Sequence, residues 1–266
     1  MVAFGLDERT VADWHARAGR HCQQVHEHLV EQPRDLGQVQ ADELWVKVQG
    51  LKVWLAMALQ VSTRLWLGGV VSPQRDRHLI DRLLGHVRAC ALPRPLLICT
   101  DGLATYVKAI RRAFRHPRPR PRLPRPGRSQ LGPWPGLALA QVIKQYAKRH
   151  VVAVQQRIIQ GGSAAVQCLL DLTQGGGSIN TAYIERLNAT FRARLHRLVR
   201  RGRSLARQTA TLQQGMYLVG AVYNFCAGHR SLRIRRRGRP DRVGHSWQAR
   251  TPATPAPTAG AVWPPV

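Results

Sequence analysis

Acid is what this sequence has least of. Fourteen Asp+Glu stand against forty-one Lys+Arg in 266 residues, a formal net charge of +27. So one-sided a chain repels itself unless a polyanion is its partner. Nucleic acid fits, because arginine dominates over lysine and its planar fork suits phosphate oxygens. A basic composition with no specific partner is the bland alternative. The shortage is extreme from Leu172 to Pro240, where Glu185 is the only carboxylate. Paired cysteines are missing too. Cys22, Cys90, Cys99, Cys168 and Cys226 are odd in number and never spaced as CxxC, and no secretory signal opens the chain. Those absences argue against a disulfide framework and a structural zinc site, and for a reduced cytoplasmic compartment. No unbroken apolar run is long enough to span a membrane. The longest, Val53 to Val71, is interrupted by Arg64 with Gln60, Ser62 and Thr63 beside it, which suits two short strands. The glycines before Ser178 lack the lysine of a phosphate-binding loop.

What is present divides into three parts. Residues 1–37 read as helical, with Asp7 as N-cap of a short amphipathic helix that looks like the back half of a helix-turn-helix. From Gln38 the period changes to alternation, and three consecutive strands are expected in an antiparallel meander. A helix over Gln74 to Cys90 follows, then the apolar strand PLLICTDG and the helix ATYVKAIRRAFR. A strand reached through a helical crossover favours parallel pairing. Residues 116–135, rich in proline and arginine, are expected as an extended cationic loop. Beyond it we expect a helix from Leu137 to Arg149, a strand from His150 to Ile159, and a mobile stretch between the glycines at 161–162 and 175–177. Two helices, Thr181 to Arg200 and Ser204 to Cys226, close the core at residue 228. The basic, proline-rich tail 229–266 is expected to be disordered.

Three carboxylates stand out by position: Asp42 within the first strand, Asp101 at the end of the strand after the crossover, and Glu185 near the start of a late helix. Together they can converge on a pair of Mg²⁺ or Mn²⁺ ions, hard cations that take oxygen ligands and clamp the two oxygens of a phosphoryl displacement. Each has a plainer role as well. Asp101 can be a turn former or helix cap, and Glu185 a salt-bridge partner or a carboxylate favoured near a helix N-terminus. Glu43 competes with Asp42, and alternation puts the two on opposite faces, so only one is expected to point into a site. On the late helix, Ile184, Leu187, Phe191, Leu195 and Leu198 form an apolar stripe, and Thr181, Glu185, Asn188 and Arg192 share another face. Arg186, Arg192, Arg194, Arg197, Arg200, Arg201 and Arg203 are candidate phosphate contacts.

The order strand-Asp, strand-Asp, helix-Glu resembles the DDE catalytic core of RNase H-like transposases and integrases. The strings DELW at 42–45, ICTDG at 98–102, NTAYIERLNATFRARLHRLVRRGRS ending at Ser204, and YNFCAGHRSL at 223–232 resemble those of insertion-sequence transposases of the insertion sequence one group and its relatives. The resemblance spans roughly 40–232, and the chain reads as an N-terminally truncated member. It implies an α/β fold: an RNase H-like mixed sheet, a three-strand antiparallel meander plus parallel strands, flanked by helices, with a short N-terminal helical DNA-binding remnant. It further implies metal-dependent DNA cleavage and strand transfer, with Asp42, Asp101 and Glu185 as ligands of two Mg²⁺ or Mn²⁺ ions. Asn188 and Arg192 would be DNA-contacting or supporting residues. The partners implied are transposon ends and target DNA, with a homo-oligomer assembled on DNA in the bacterial cytoplasm at the nucleoid. The alternative is a catalytically decayed, non-enzymatic DNA-binding protein derived from such a transposase.

Overall fold

The computed structural model of the chain describes residues 5, 7–117, 131–148, 150–173, 177–195, 208–234 and 242–245. It opens with helix α1 (Glu8–Leu29). The meander follows as β1 (Gln38–Val48), β2 (Leu51–Gln60) and β3 (Trp66–Ser72). The crossover helix α2 (Arg77–Ala89) then leads to β4 (Leu96–Asp101), and α3 (Ala104–Ala113) comes next. Asp76 caps α2, its carboxylate accepting from the Leu79 N–H at 3.0 Å. Short strands β5 (Arg115–Pro117) and β6 (Leu131–Pro133) pair antiparallel, so the base of the Arg/Pro loop is a ladder; its remaining residues, 118–130, lie outside the described ones. Long strands β7 (Leu137–Ala147) and β8 (His150–Gln160) precede α4 (Ser163–Leu172), α5 (Ala182–Arg194) and α6 (Thr209–Ala221). A π-helical turn, Val222–Cys226, leads into β9 (Gly228–Ile234), which pairs with β10 (Arg242–His245).

The main sheet has the order β3-β2-β1-β4-β7-β8. Its first three strands are antiparallel, β1, β4 and β7 are parallel, and β8 returns antiparallel to β7. This is the RNase H-like mixed sheet expected from the sequence, with β8 as an added sixth strand. Apolar residues of α2 and α3 cover one face, packed on Val39, Ala41, Ala56 and Ala58. The other face is covered by α5 and α6 over the meander and by α4 over β4 and β7. No helix among the described residues is long and apolar enough to cross a membrane.

Several sequence expectations give way here. Residues 137–147 form a strand, not a helix. Its first six residues are buried, and an apolar run without periodicity reads equally as buried helix or buried strand. The stretch taken as mobile holds α4, anchored by buried Val166, Leu169 and Leu170. Helix α1 runs on to Leu29, longer than the short helix expected. A Cβ at Gly19 would come within 2.5 Å of the Gln214 Cβ, so α1 and α6 touch backbone to backbone and α1 belongs to the body of the molecule. The tail is ordered at least through β9 and at β10. The His229 ring meets Tyr223 edge-on at 4.6 Å, which ties the chain down just past the core.

The YNFC string has a structural task. Among the described residues edge strand β3 has no strand on its outer side, and Asn224 takes that place. Its Oδ1 accepts from the Trp66 N–H at 2.9 Å, and its Nδ2 donates to the Trp66 carbonyl at 3.0 Å. Asn224 and Trp66 are both fully buried, so an unmade bond there would be costly.

Candidate active site

Parallel strands β1 and β4 pair only through Gln38–Ala41 and Leu97–Thr100. One residue further, Asp42 and Asp101 stand side by side where β4 gives way to α3. Ligand oxygens of Asp42, Glu43 and Asp101 lie within 4.8 Å of one another. Two of the three sequence candidates are thus brought together, and so is the rejected Glu43. Alternation fixes where a Cβ points but not where a longer side chain ends. Beyond the last β4 pairing the edge of β1 is open, and the Glu43 carboxylate reaches Asp101 from the other face.

Each carboxylate has a defined setting. Asp42 Oδ1 accepts the Glu43 N–H at 2.8 Å, and Oδ2 accepts from Asn188 Nδ2 at 2.8 Å. Asp101 Oδ1 accepts the Leu103 N–H at 3.1 Å, so it is a turn former as well as a site residue. Arg75 Nη2 donates to Glu43 Oε2 at 2.8 Å and to Asp101 Oδ2 at 3.4 Å, while its guanidinium lies 4.9 Å over the Trp54 ring. The Glu43 side chain is fully buried, with the buried Tyr106 hydroxyl as its other polar neighbour. Burial pushes Asp42 up to about 7, repulsion from Glu43 and Asp101 adds, the Glu43 N–H opposes, and Glu185 adds a little more. Glu43 is raised by burial and by Asp101, with Arg75 opposing. One guanidinium, donating to Glu43 and Asp101 but not to Asp42, serves three crowded carboxylates, so the cluster holds more negative charge than Arg75 offsets. All donors are oxygens, so the site fits a hard divalent ion. The identity of that ion does not follow from the donor set.

Glu185 is outside this cluster. It sits in the first turn of α5, 45% exposed, and its Oε1 accepts from Lys144 Nζ at 2.5 Å and Thr181 Oγ1 at 2.7 Å. The salt-bridge alternative is therefore what the fold adopts, with a lysine of β7 rather than a neighbouring arginine. The start of α5 is set by Gln40 of β1. Its buried Oε1 accepts the N–H groups of Tyr183 and Ile184, each at 3.0 Å, satisfying donors that a helix N-terminus leaves open. Asn188, expected as a DNA-contacting or supporting residue, is 3% exposed and holds Asp42, the supporting alternative. Its place on the helix face shared with Glu185 turns it toward β1. Arg186 and Arg194 are exposed and Arg192 is partly buried. Arg197, Arg200, Arg201 and Arg203 lie outside the described residues. The sequence reading missed Arg75 and Lys144. Nothing in their spacing marks them, because both reach the site through tertiary pairing.

Residues 37–125 match a DDE domain. The match covers about a third of the chain and includes Asp42, Glu43 and Asp101 but not Glu185. It supports a DDE transposase core in this part of the molecule. No curated protein matches the chain. Among solved structures, similarity extends to a simian T-cell lymphotropic virus intasome in complex with the PP2A regulatory subunit B56 gamma, at 12% identity and a TM-score of 0.43, over 88% of this chain and 61% of that one. It also extends to the catalytic domain of the Mos1 mariner transposase, at 16% identity and a TM-score of 0.24, over 42% of this chain and 59% of that one. The chain spans about 60% of the length of these solved chains.

Proposed function

We propose that this chain is a DDE transposase that cuts and joins DNA strands in the transposition of an insertion sequence. The observation that carries this reading is the carboxylate cluster where the end of β4 meets the middle of β1, inside the segment that matches a DDE domain. Asp42 and Asp101 would hold the metal, with Glu185 joining once Lys144 releases it. A bound pair of Mg²⁺ or Mn²⁺ ions would supply charge stabilisation to the attacking and leaving oxygens of an in-line displacement at phosphorus. The chain's own residues do the positioning. Asn188 steers Asp42 Oδ2, Gln40 sets the first turn of α5, and Arg75 counters the charge of Glu43 and Asp101. Arg186, Arg192 and Arg194, with Arg197, Arg200, Arg201 and Arg203, are the phosphate contacts of transposon ends and target DNA. The working form is a homo-oligomer assembled on that DNA, in the bacterial cytoplasm.

One observation favours a second reading, a catalytically decayed DNA-binding protein: Glu185 is occupied by Lys144 and stands apart from the cluster. The test is nicking of supercoiled plasmid carrying the gene and its flanking DNA, with Mg²⁺ or Mn²⁺. Asp42→Asn and Asp101→Asn should each lower the rate by ~10³-fold or more, as loss of a group that stabilises the transition state does, with the melting curve retained. Wild-type binding without nicking selects the second reading. Nicking that survives both substitutions refutes the site.

A further inference from the structure

Strand β7 follows β4 only as far as the pair Asp101–Val142, then runs on to Ala147. Five further residues at about 3.3 Å each carry it ~17 Å past the carboxylate cluster. Strand β8 returns alongside through the pairs Ala147–His150, Tyr146–Val151, Gln145–Ala153, Lys144–Val154 and Ile143–Gln155. Over this length the main sheet offers β7 no second neighbour among the described residues, and β8 ends the strand order. A two-stranded ribbon therefore projects from the edge of the sheet that bears the carboxylates. It is apolar where solvent would ordinarily favour polar residues. Tyr146 is 64% exposed, Val152 62% and Val154 55%. At its root Lys144 holds Glu185.

We propose that the β7–β8 ribbon enters a groove of duplex DNA beside the carboxylate cluster and reads the sequence there. The inference rests on DNA being the substrate. The major groove, about 12 Å wide, admits a two-stranded ribbon. Apolar side chains meet thymine methyl groups, and a tyrosine presents both a ring and a hydroxyl to base edges. Charge selects DNA over a second copy of the chain. No acidic residue occurs between Asp101 and Asp171, and the ribbon carries Lys144, Lys148 and His150. A second copy would bring like charge to like, whereas phosphates flank any groove the ribbon enters. The ribbon leaves the sheet at Asp101, so DNA lodged on it passes the cluster.

The test uses the full chain, fluorescence anisotropy with a duplex of arbitrary sequence, and selection from a pool of randomised duplexes. Tyr146→Ala is expected to erase a base preference that the wild type shows, lowering affinity for selected over arbitrary duplex by about 5- to 100-fold. Lys148 has φ 46°, so Lys148→Asn, which tolerates that backbone, removes charge without strain. It should weaken all sequences alike and reduce the slope of log affinity on log salt by about 0.9. Melting curves should match wild type, since both side chains are exposed. Wild-type binding and nicking with both variants unchanged overturns the ribbon inference alone. Variants that lose self-association in sedimentation while binding DNA normally also overturn it, in favour of a protein partner. A wild type that neither binds nor nicks DNA overturns the functional reading first and this inference with it.

Discussion

Lowering the pH from neutrality asks the fold to accept a proton on His26, a ring that α1 packs against the edge of the sheet. His26 is 2% exposed, its centroid 4.6 Å from that of Trp66 and 5.5 Å from that of Tyr217. Its Nε2 lies 3.3 Å from the Leu67 carbonyl, which assigns the proton of the neutral ring to that nitrogen. Burial lowers its pKa from 6.5 to about 4, with His86 and Arg34 adding and the Leu67 carbonyl opposing. The folded value is below the unfolded one, so the unfolded chain takes the proton first. The stabilisation is complete above the unfolded value and is lost as pH falls toward the folded value. Linkage puts the loss at about 2 kcal/mol by pH ~5 and ~3 kcal/mol by pH ~4. For a domain of this size that is a fall of ~4–8 °C in Tm at the milder pH. His26→Phe keeps a ring in the stack and removes the titration. It costs a hydrogen bond, about 1 kcal/mol, independent of pH. Thermal melts by circular dichroism across this range, wild type against variant, isolate the residue, because every other titrating group is common to both. Parallel curves for the two proteins would refute the reasoning.

Two further outcomes follow from the packing and the ion pairs. Asn224→Ala strips the partners from the buried N–H and carbonyl of Trp66 and should cost about 2–5 kcal/mol in urea unfolding; a change under ~0.5 kcal/mol would mean that β3 does not need this edge partner. Lys144→Met removes the cation held by Glu185 and should raise Mn²⁺ affinity in calorimetry by about 5-fold or more, since Glu185 is then free to join the other carboxylates; unchanged affinity would deny Glu185 a ligand's role.

The meander, the crossover and the positions of Asp42 and Asp101 were legible because they rest on local periodicity and on a strand-helix-strand order that permits few topologies. The strand at Leu137–Ala147 was not legible. Its pattern is a buried run, and only its place between β4 and β8 made it a strand. Glu43 was misjudged by a rule about Cβ directions, which does not follow a long side chain around an open strand edge. Asn188 was placed on the right face of its helix with two tasks left open, and only the packing of α5 on β1, which turns that face inward, selects the supporting one.

By itself the sequence determined the charge that calls for a polyanion, the mixed α/β class, and two of the carboxylates. Those properties are carried by composition and by short-range order. Only the tertiary structure decided that Glu43 joins the cluster, that Arg75 holds its charge and Lys144 that of Glu185, and that β7 and β8 project past it. These depend on contacts between residues tens of positions apart in the chain, a separation at which no local pattern in the sequence carries a signal.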